Sequence, residues 1–500
     1  MGKGARSRAN NAEKRAAQIE REQANKKKKA FEMIVTLAIV VAIIAGLGSW
    51  AGIRSVKKAA EYKQVMMKSD NFQISGGMMS YLIFSQYANY LNTYGDYLSY
   101  TGLDTSKALK DQYTTDADGN SITWYQYFAD AAKDNVENLL VLCENAKANG
   151  MELTDAEKTV VAERAKVSYN NVGRYARGVK AQDVEDCMEL SLLATKYQLS
   201  VENDLMPTEE KINDYYQANP LEVLKVDYYS YAFSYQEAAE GETLAEDAIT
   251  KDAAKALADD LAATAGVDEF KTKLKAYLES VAEEPAEGEE AAEIDVDTYK
   301  TTAGTYTADN EASEWLFADA TAVGTTKVVL DESAKTYTVY VLDKAKYLQE
   351  EETVSVRHLL VSVVEGSVTA DQARKTAQKY YDQWSKGDKS EQSFAELAMR
   401  YTEDSNYYNG GLYQGVYPGQ MVETFNNWCF DDARQAGDTG LVDTDYGTHI
   451  IYFVGDDLLQ WQTEVRTTLL QESYTTKYEE LKAAVTITSD DALISNLQVQ

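Results

Sequence analysis

The stretch TEDSNYYNGGLYQGVYPGQMV, residues 402–422, is the most informative segment of this 500-residue chain. It holds four Gly, four Tyr and one of the only four Pro in the sequence. Glycine permits backbone turns that other residues resist, so this composition predicts a shaped loop rather than a helix. The segments on either side of the loop predict regular strands and helices.

Charge and hydropathy separate the N-terminus from the rest. The net charge is −32, yet residues 1–30 contain ten Lys and Arg against three Glu. Residues 31–53 are long and apolar enough to cross a hydrocarbon core of about 30 Å. A lysine block before the first apolar helix favours a cytoplasmic N-terminus. The sequence therefore predicts a basic cytoplasmic tail, a single-pass signal anchor over 31–53 in the cell membrane, and an extracytoplasmic remainder.

A cleaved signal peptide is the alternative for this segment, because AGLGSWAG loosely imitates a cleavage site. The apolar run is longer than the apolar core of a usual signal peptide, which favours the anchor.

Residues 60–220 predict a helical domain. Apolar side chains recur at four-residue steps, which marks the buried face of a helix. Thr154 and Glu157 predict a capping box at the start of another helix. The segment MPTEEKINDYYQANP, residues 206–220, predicts a short closing helix. The two apolar stripes are Met79, Ile83, Tyr87, Leu91 and Trp124, Phe128, Ala132, Val136.

From residue 221 onward, strands alternate with helices, and the order occurs twice. Residues 221–348 and 353–456 share six identical residues at a constant spacing of 113 positions, which indicates an internal duplication. Only the second copy contains histidine. The matching pairs are Trp315 and Trp428, Phe317 and Phe430, Asp319 and Asp432, Gly324 and Gly437, Thr326 and Thr439, Val329 and Val442.

The only two histidines of the chain, His358 and His449, fall in the first and last strands of the second copy. Side chains alternate between the two faces of a strand, so each histidine shares a face with apolar neighbours. A lone strand histidine is usually a satisfied core residue. Two histidines in one small domain, with none elsewhere, favour a shared site.

The motifs RHLLV, SFAELAMRYTEDS, NGGLYQGVYPGQMVETF and GDTGLVDTDYGTHIIYF, in this order, resemble the parvulin-type peptidyl-prolyl cis-trans isomerases over residues 353–456. The resemblance implies a four-stranded antiparallel sheet wrapped by helices, with both histidines under its binding face. The wider organisation resembles the secreted foldases related to SurA and PrsA. It implies an α+β chain with a helical chaperone-like domain and two parvulin-like domains, of which the first, 221–348, is degenerate. Residues 457–500 then form a C-terminal helix and tail that can pack on the N-terminal helical domain.

The resemblance also assigns site residues. His358, Asp404 and His449 match the catalytic positions. A second set matches the positions that bind the proline ring and its neighbours. Where this family usually has a GGDLGWF-like run, residues 410–416 read GGLYQGV, without the Asp and with the aromatic displaced. The residues of the second set are Gln420, Met421, Phe425 and Phe430.

The predicted activity is isomerisation of X–Pro bonds in unfolded or partly folded secreted proteins, and the resemblance implies no cofactor. No nucleophile elbow, no metal-ligand spacing and no phosphate loop occurs in the sequence, and the acidic extracytoplasmic part argues against nucleic acid. A membrane-tethered holdase, whose parvulin domains bind peptides without significant turnover, is the alternative that the altered glycine loop leaves open.

Overall fold

The computed structural model describes residues 62–238, 244–245, 248–282, 293–364 and 366–499. These residues form two compact units. Unit 1 contains residues 62–206, 354–456 and 470–499, and unit 2 contains residues 207–353 and 457–469. The chain therefore passes between the units four times. The transmembrane segment expected over residues 31–53 lies outside the described residues, and no helix within the described part is long and apolar enough to cross a membrane.

The helical domain of unit 1 forms where the apolar stripes predict it. All eight residues of the two stripes are buried in one core. The capping box of Thr154 and Glu157 is present, with the Thr154 hydroxyl accepting a hydrogen bond from the Glu157 N–H. The main helices are α1 (Gly76–Tyr94), α2 (Trp124–Ala148), α3 (Asp155–Asn171) and α4 (Ala181–Leu205).

Short strands also belong to this domain, although the sequence pattern predicts only helices. Two hairpins precede α1 and α2, and a strand from the C-terminus joins the first of them. These strands are too short to show an alternation of polar and apolar residues, so helical periodicity dominates the sequence pattern. The strands are β1 (Val65–Lys68), β2 (Gln73–Ser75), β3 (Tyr113–Thr115), β4 (Ser121–Thr123) and β13 (Thr488–Ser489).

The C-terminal residues of the described chain complete the helical core. Strand β13 pairs antiparallel with β1. Ile494, Leu497 and Val499 are each only 2% exposed and belong to the same cluster as the α1 and α2 stripes. The Tyr125 hydroxyl donates a hydrogen bond to the Ile494 carbonyl. The two ends of the described chain thus share one hydrophobic core.

Unit 2 contains a four-stranded antiparallel sheet in the order β6-β5-β8-β7. Two helices cover one face, with Phe270 and Leu274 fully buried against it. The elements are α5 (Glu209–Ala218), α6 (Pro220–Val223), β5 (Lys225–Ser234), α7 (Lys251–Ala262), α8 (Val267–Val281), β6 (Lys300–Gly304), α9 (Glu311–Leu316), β7 (Thr326–Asp331) and β8 (Thr336–Tyr347).

The second sheet has the order β10-β9-β12-β11, in which the strands follow the same sequence pattern as in the first sheet. Strand β10 pairs antiparallel with β9, and β11 with β12. The expectation of mixed helices and antiparallel sheets is therefore confirmed. The elements are β9 (Glu352–Ser362), α10 (Ala370–Trp384), α11 (Glu391–Tyr401), β10 (Leu412–Val416), α12 (Glu423–Cys429), β11 (Thr439–Thr444), β12 (Gly447–Leu459), α13 (Gln460–Ala483) and α14 (Asp491–Asn496).

Two local features near the second sheet are the start of helix α11 and the conformation of the glycine-rich stretch. The helix α11 begins at Glu391, because Ser390 is its N-cap and accepts a hydrogen bond from the Ser393 N–H. The glycine-rich stretch is not loop throughout. It forms a 3-10 helix over Ser405–Asn409 and then strand β10, so the stretch supplies an edge of the sheet.

We predict that Leu497→Ala lowers the free energy of unfolding of unit 1 by about 2–4 kcal/mol, because it leaves a cavity in a fully buried site. Urea unfolding followed by circular dichroism measures the change. Ser495→Ala, at an exposed neighbouring position, is the matched control and is expected to change the unfolding free energy by less than about 0.5 kcal/mol. Equal effects of the two substitutions would show that the C-terminal segment is not part of the core.

Candidate active site

The two histidines lie on neighbouring central strands of the second sheet and meet inside it. His358 on β9 is 2% exposed and His449 on β12 is 7% exposed. Their Nδ1 atoms are 3.3 Å apart. The alternation of β9 and β12 places both rings on the sheet face that also carries Val354, Val356 and Ile451. Two imidazoles therefore share one largely apolar environment.

Asp404 extends this pair to a third group. Its Oδ2 lies 3.1 Å from His358 Nε2. That contact is electrostatic, since Nε2 has no partner with hydrogen-bond geometry among the described residues. The Asp404 carboxylate also accepts hydrogen bonds from the Ser405 N–H and the Tyr413 hydroxyl. His358 and these donors hold the pKa of Asp404 well below its usual range. Asp404 is therefore a carboxylate at neutral pH.

The contacts indicate which ring nitrogen of each histidine carries the N–H. A carboxylate beside Nε2 of His358 favours the N–H on that nitrogen, which leaves Nδ1 of His358 as an acceptor. His449 then donates from its Nδ1 to His358. The remaining nitrogen, His449 Nε2, lies 2.9 Å from the Thr444 hydroxyl and accepts a hydrogen bond from it. Burial lowers the pKa of His449 to about 3, so this ring is neutral at pH 7.

Aromatic rings enclose the pair of imidazoles. The Phe425 ring meets both edge-on, at 5.7 Å from the His358 centroid and 5.3 Å from that of His449. Tyr413 stacks on His358 at 4.8 Å. Burial and the neighbouring Asp404 raise the pKa of Tyr413 to about 12, so its hydroxyl remains a donor. The rings fix the imidazole planes and exclude water.

The structure places the predicted substrate-binding residues at different depths. Phe425 is buried beneath the histidines, whereas Met421 and Phe430 are half-buried at the edge of the same apolar cluster. Gln420 is exposed, and its side-chain Oε1 accepts a hydrogen bond from the Tyr417 N–H at 3.1 Å. Met421 and Phe430 therefore offer an accessible apolar surface, while the carbonyl of Gln420 is used within its own turn.

Gly411 shows why the glycine pair precedes β10. Its φ is +72°, and a Cβ added there would lie 2.1 Å from the carbonyl oxygen of His358. The His358 N–H donates to the Gly411 carbonyl at 2.8 Å. The loop thus approaches the backbone of the first histidine so closely that only glycine fits.

Tyr413 is the residue of this site that the sequence pattern does not identify. Its position in GGLYQGV reads as part of a turn, and its role becomes visible only when β10 lies beside β9. Within the described residues, no group of three or more His, Cys, Asp and Glu side chains could hold a metal ion.

We predict that Gly411→Ala lowers the free energy of unfolding by more than about 2 kcal/mol, because left-handed strain adds to a backbone collision. Gly419→Ala is the matched control. Its φ is +89° but its added Cβ meets nothing within 4 Å, so only the strain of about 1–2 kcal/mol applies. Urea unfolding compares the two variants, and equal losses would contradict the close approach of Gly411 to His358.

We predict that His449→Gln weakens the pH dependence of stability between pH 6 and pH 4. In this window the unfolded chain protonates His449, whose ordinary pKa is about 6.5, whereas the folded chain does not protonate it until about pH 3. Stability of the native chain therefore falls as the pH falls, by up to about 1.4 kcal/mol per pH unit from this group.

Urea unfolding of both proteins at several pH values measures this difference. Asp404 does not obscure it, since both proteins carry this carboxyl and its lowered pKa contributes to both stability curves. Parallel stability curves for the native chain and His449→Gln would show that His449 is protonated in the folded chain.

Comparison with known proteins shows which family this part of the chain is similar to. A family model described as the PPIC-type PPIASE domain matches residues 337–456. Foldase protein PrsA 1 of Listeria innocua serovar 6a is 33% identical over 112 residues, which make up 22% of this chain and 33% of that protein. Foldase protein PrsA 1 of Listeria monocytogenes serotype 4b is 32% identical over 112 residues, with the same shares of 22% and 33%. The chain spans about a third of the length of these curated relatives.

Among solved structures, PrsA from Bacillus subtilis aligns over 78% of this chain and 94% of its own, at 13% identity and a TM-score of 0.24. Over residues 337–456 the chain is thus similar to the PPIC-type, or parvulin-type, isomerase domain that the PrsA foldases contain, which confirms the resemblance carried by its motifs.

Proposed function

We propose that the chain is a peptidyl-prolyl cis-trans isomerase and foldase that assists the folding of secreted proteins. One observation carries the proposal. A buried pair of histidines beside the Asp404 carboxylate lies next to an accessible apolar surface, within a region that matches the PPIC-type domain. The match over about a third of the length of the PrsA relatives supports the same role.

Isomerisation of an X–Pro bond requires rotation about an amide and no covalent bond to the enzyme. The barrier is about 18–20 kcal/mol, because rotation breaks the amide resonance. A water-excluding apolar surface favours the twisted amide, which is less polar than the planar one. Met421, Phe425 and Phe430 are proposed to hold the proline ring and its surroundings, with Gln420 at the edge. These side chains supply the apolar surface that the reaction needs.

His358, Asp404 and His449 are the proposed catalytic residues. The contact between the two Nδ1 atoms holds the imidazole planes in place, and burial keeps the His449 ring neutral at pH 7. A neutral imidazole next to the substrate stabilises a less polar transition state better than a solvated imidazolium. The Asp404 carboxylate sets which nitrogen of His358 carries the proton. The three groups act by shaping the polarity of the pocket.

The proposed organisation follows the wider resemblance. Residues 1–30 would be a cytoplasmic tail and 31–53 a membrane anchor, with everything after them extracytoplasmic. Residues 60–220 would form the chaperone-like domain and 221–348 a degenerate parvulin-like domain. Residues 353–456 would be the isomerase domain, and 457–500 the C-terminal helix and tail. The expected partners are unfolded or partly folded secreted proteins with X–Pro bonds, and nucleic acid is not among them.

A holdase is the second candidate function, and one observation favours it. The helical domain exposes several tyrosines along one segment, with Tyr97 60% exposed and Tyr100 86% exposed. Their ring centroids lie 6.4 Å apart. Tyrosine offers a large apolar body with a polar tip, which suits binding of unfolded segments. This surface would bind clients whether or not the isomerase site turns over.

We predict that the full chain accelerates cis-trans isomerisation of a short X–Pro peptide, measured by protease-coupled absorbance or NMR exchange. His449→Ala and Met421→Ala are expected to lower kcat/KM by about tenfold or more, which corresponds to a loss of about 1.4 kcal/mol of transition-state stabilisation. Asp432→Ala, an exposed substitution two residues from Phe430, is the control and should leave the rate unchanged.

A folded native chain that gives no acceleration, but still suppresses aggregation of an unfolded client, would overturn the isomerase proposal in favour of the holdase. Loss of that suppression in a Tyr97→Ala/Tyr100→Ala variant would then assign client binding to the helical domain.

A further inference from the structure

Arg164 of the helical domain contacts the isomerase domain, and both domains belong to unit 1. Arg164 on α3 donates from Nε to the Met399 carbonyl at 3.0 Å and from Nη2 to the Thr402 carbonyl at 2.6 Å. Both carbonyls lie at the C-terminal end of α11. The last carbonyls of a helix lack partners within the helix and carry partial negative charge. The guanidinium therefore caps α11 from outside its own domain.

The same guanidinium also holds the segment that follows α11. It lies over the Tyr407 ring, with 4.0 Å between the guanidinium carbon and the ring centroid. Tyr407 belongs to the 3-10 helix that Asp404 caps. Arg164 thus contacts the chain on both sides of Asp404, at Thr402 and at Tyr407.

Thr402 links this contact to the reacting groups. Its hydroxyl accepts hydrogen bonds from the Asp404 N–H at 3.2 Å and from the Leu360 N–H at 3.0 Å. Leu360 lies two residues after His358 on β9. The path from Arg164 to the proposed site therefore contains two residues, Thr402 and Asp404, and ends at the His358 ring.

A neighbouring ion pair fixes the alignment of the two helices. Glu163, next to Arg164 on α3, accepts two hydrogen bonds from the Arg400 guanidinium, at 3.1 and 2.9 Å. This pair is partly exposed and contributes little energy by itself. Its fork geometry matches carboxylate and guanidinium planes, so it specifies how α3 meets α11.

The segment after Asp404 contains a buried side chain whose polar atoms have no hydrogen-bond partner among the described residues. Asn406 is 7% exposed, and neither its side-chain nitrogen nor its oxygen has a hydrogen-bond partner among the described residues. A buried amide without partners opposes the packing of its segment. The placement of residues 402–409 therefore draws on a contact from outside, and Arg164 supplies it.

We propose that Arg164 is a positioning residue for the isomerase site, through which docking of the helical domain sets the placement of Asp404 beside His358. This inference rests on the proposed isomerase function. It makes the rate of isomerisation depend on whether the helical domain is docked. A client that separates α3 from α11 while binding to the helical domain would lower the activity of the site.

The test uses the full chain with Arg164→Ala, Arg164→Lys and the control Lys166→Ala, an exposed position on the same helix. Arg164→Ala is expected to lower kcat/KM for an X–Pro peptide by about three- to tenfold, mainly through kcat, since Arg164 is proposed to act on Asp404 and not to bind the peptide. Arg164→Lys should lose less than Arg164→Ala, because a lysine keeps the charge but not the two-point fork. Lys166→Ala should match the native chain.

A double-mutant cycle separates positioning from general support of the fold. In an Asp404→Ala background, Arg164→Ala should cause no further loss, because its effect passes through Asp404. Hydrogen exchange of amides 402–409 should rise in Arg164→Ala and not in Lys166→Ala. An unchanged kcat/KM in Arg164→Ala, or an equal loss with and without Asp404, would overturn the inference.

Failure of the proposed function gives a different result. In that case the native chain does not accelerate isomerisation at all, and the hydrogen-exchange comparison alone decides whether Arg164 places residues 402–409. Unchanged exchange in Arg164→Ala would overturn the positioning role irrespective of activity.

Discussion

The second sheet depends on one constraint, which is that two imidazoles are buried side by side next to a carboxylate. Polar nitrogens in this apolar environment lack solvation, so polar or charged groups must lie next to them. His358, His449, Asp404 and Thr444 form a single series of contacts that supplies these neighbours. This series of contacts forms only if strands β9 and β12 are neighbours. The position of Phe425 against both rings follows from the same arrangement.

Much of this arrangement could be predicted from the sequence. Helical stripes, capping residues and alternating strands depend on local spacing, so they are visible without a structure, and those of α1, α2 and α3 are confirmed. The motifs also identify His358, His449 and Asp404 as residues of one site, and the structure brings these three side chains together. Their catalytic roles remain proposals, as do those of Met421 and Phe430.

Other features depend on contacts between distant segments and leave no local pattern. Tyr413 acquires its position from the pairing of β10 with β9, and the short strands β1 and β13 find each other across 420 residues of chain. The contact of Arg164 with α11 belongs to the same class. One local expectation was wrong as well, because part of the glycine-rich stretch expected to be a loop forms a 3-10 helix and strand β10.

The two four-stranded sheets show how one strand order can carry different chemistry. Both place their strands in the same sequence pattern. In unit 2 the corresponding face contains tyrosine rings, with Tyr228 and Tyr340 at 5.8 Å, and no histidine. The strand order of the sheet therefore does not determine the site, which depends on a few side chains that the strands carry.

The core that α1 and α2 share with residues 488–499 has a consequence for the order of folding. Met67 pairs with Ser489, and the Arg177 N–H donates to the Val499 carbonyl. Such pairings close very long loops, and a loop of this kind forms late because its entropy must be overcome first. During folding, the apolar faces of α1 and α2 remain incompletely covered until residues 488–499 pack against them. A protein proposed to assist the folding of others would thus itself pass through a long-lived, incompletely buried state.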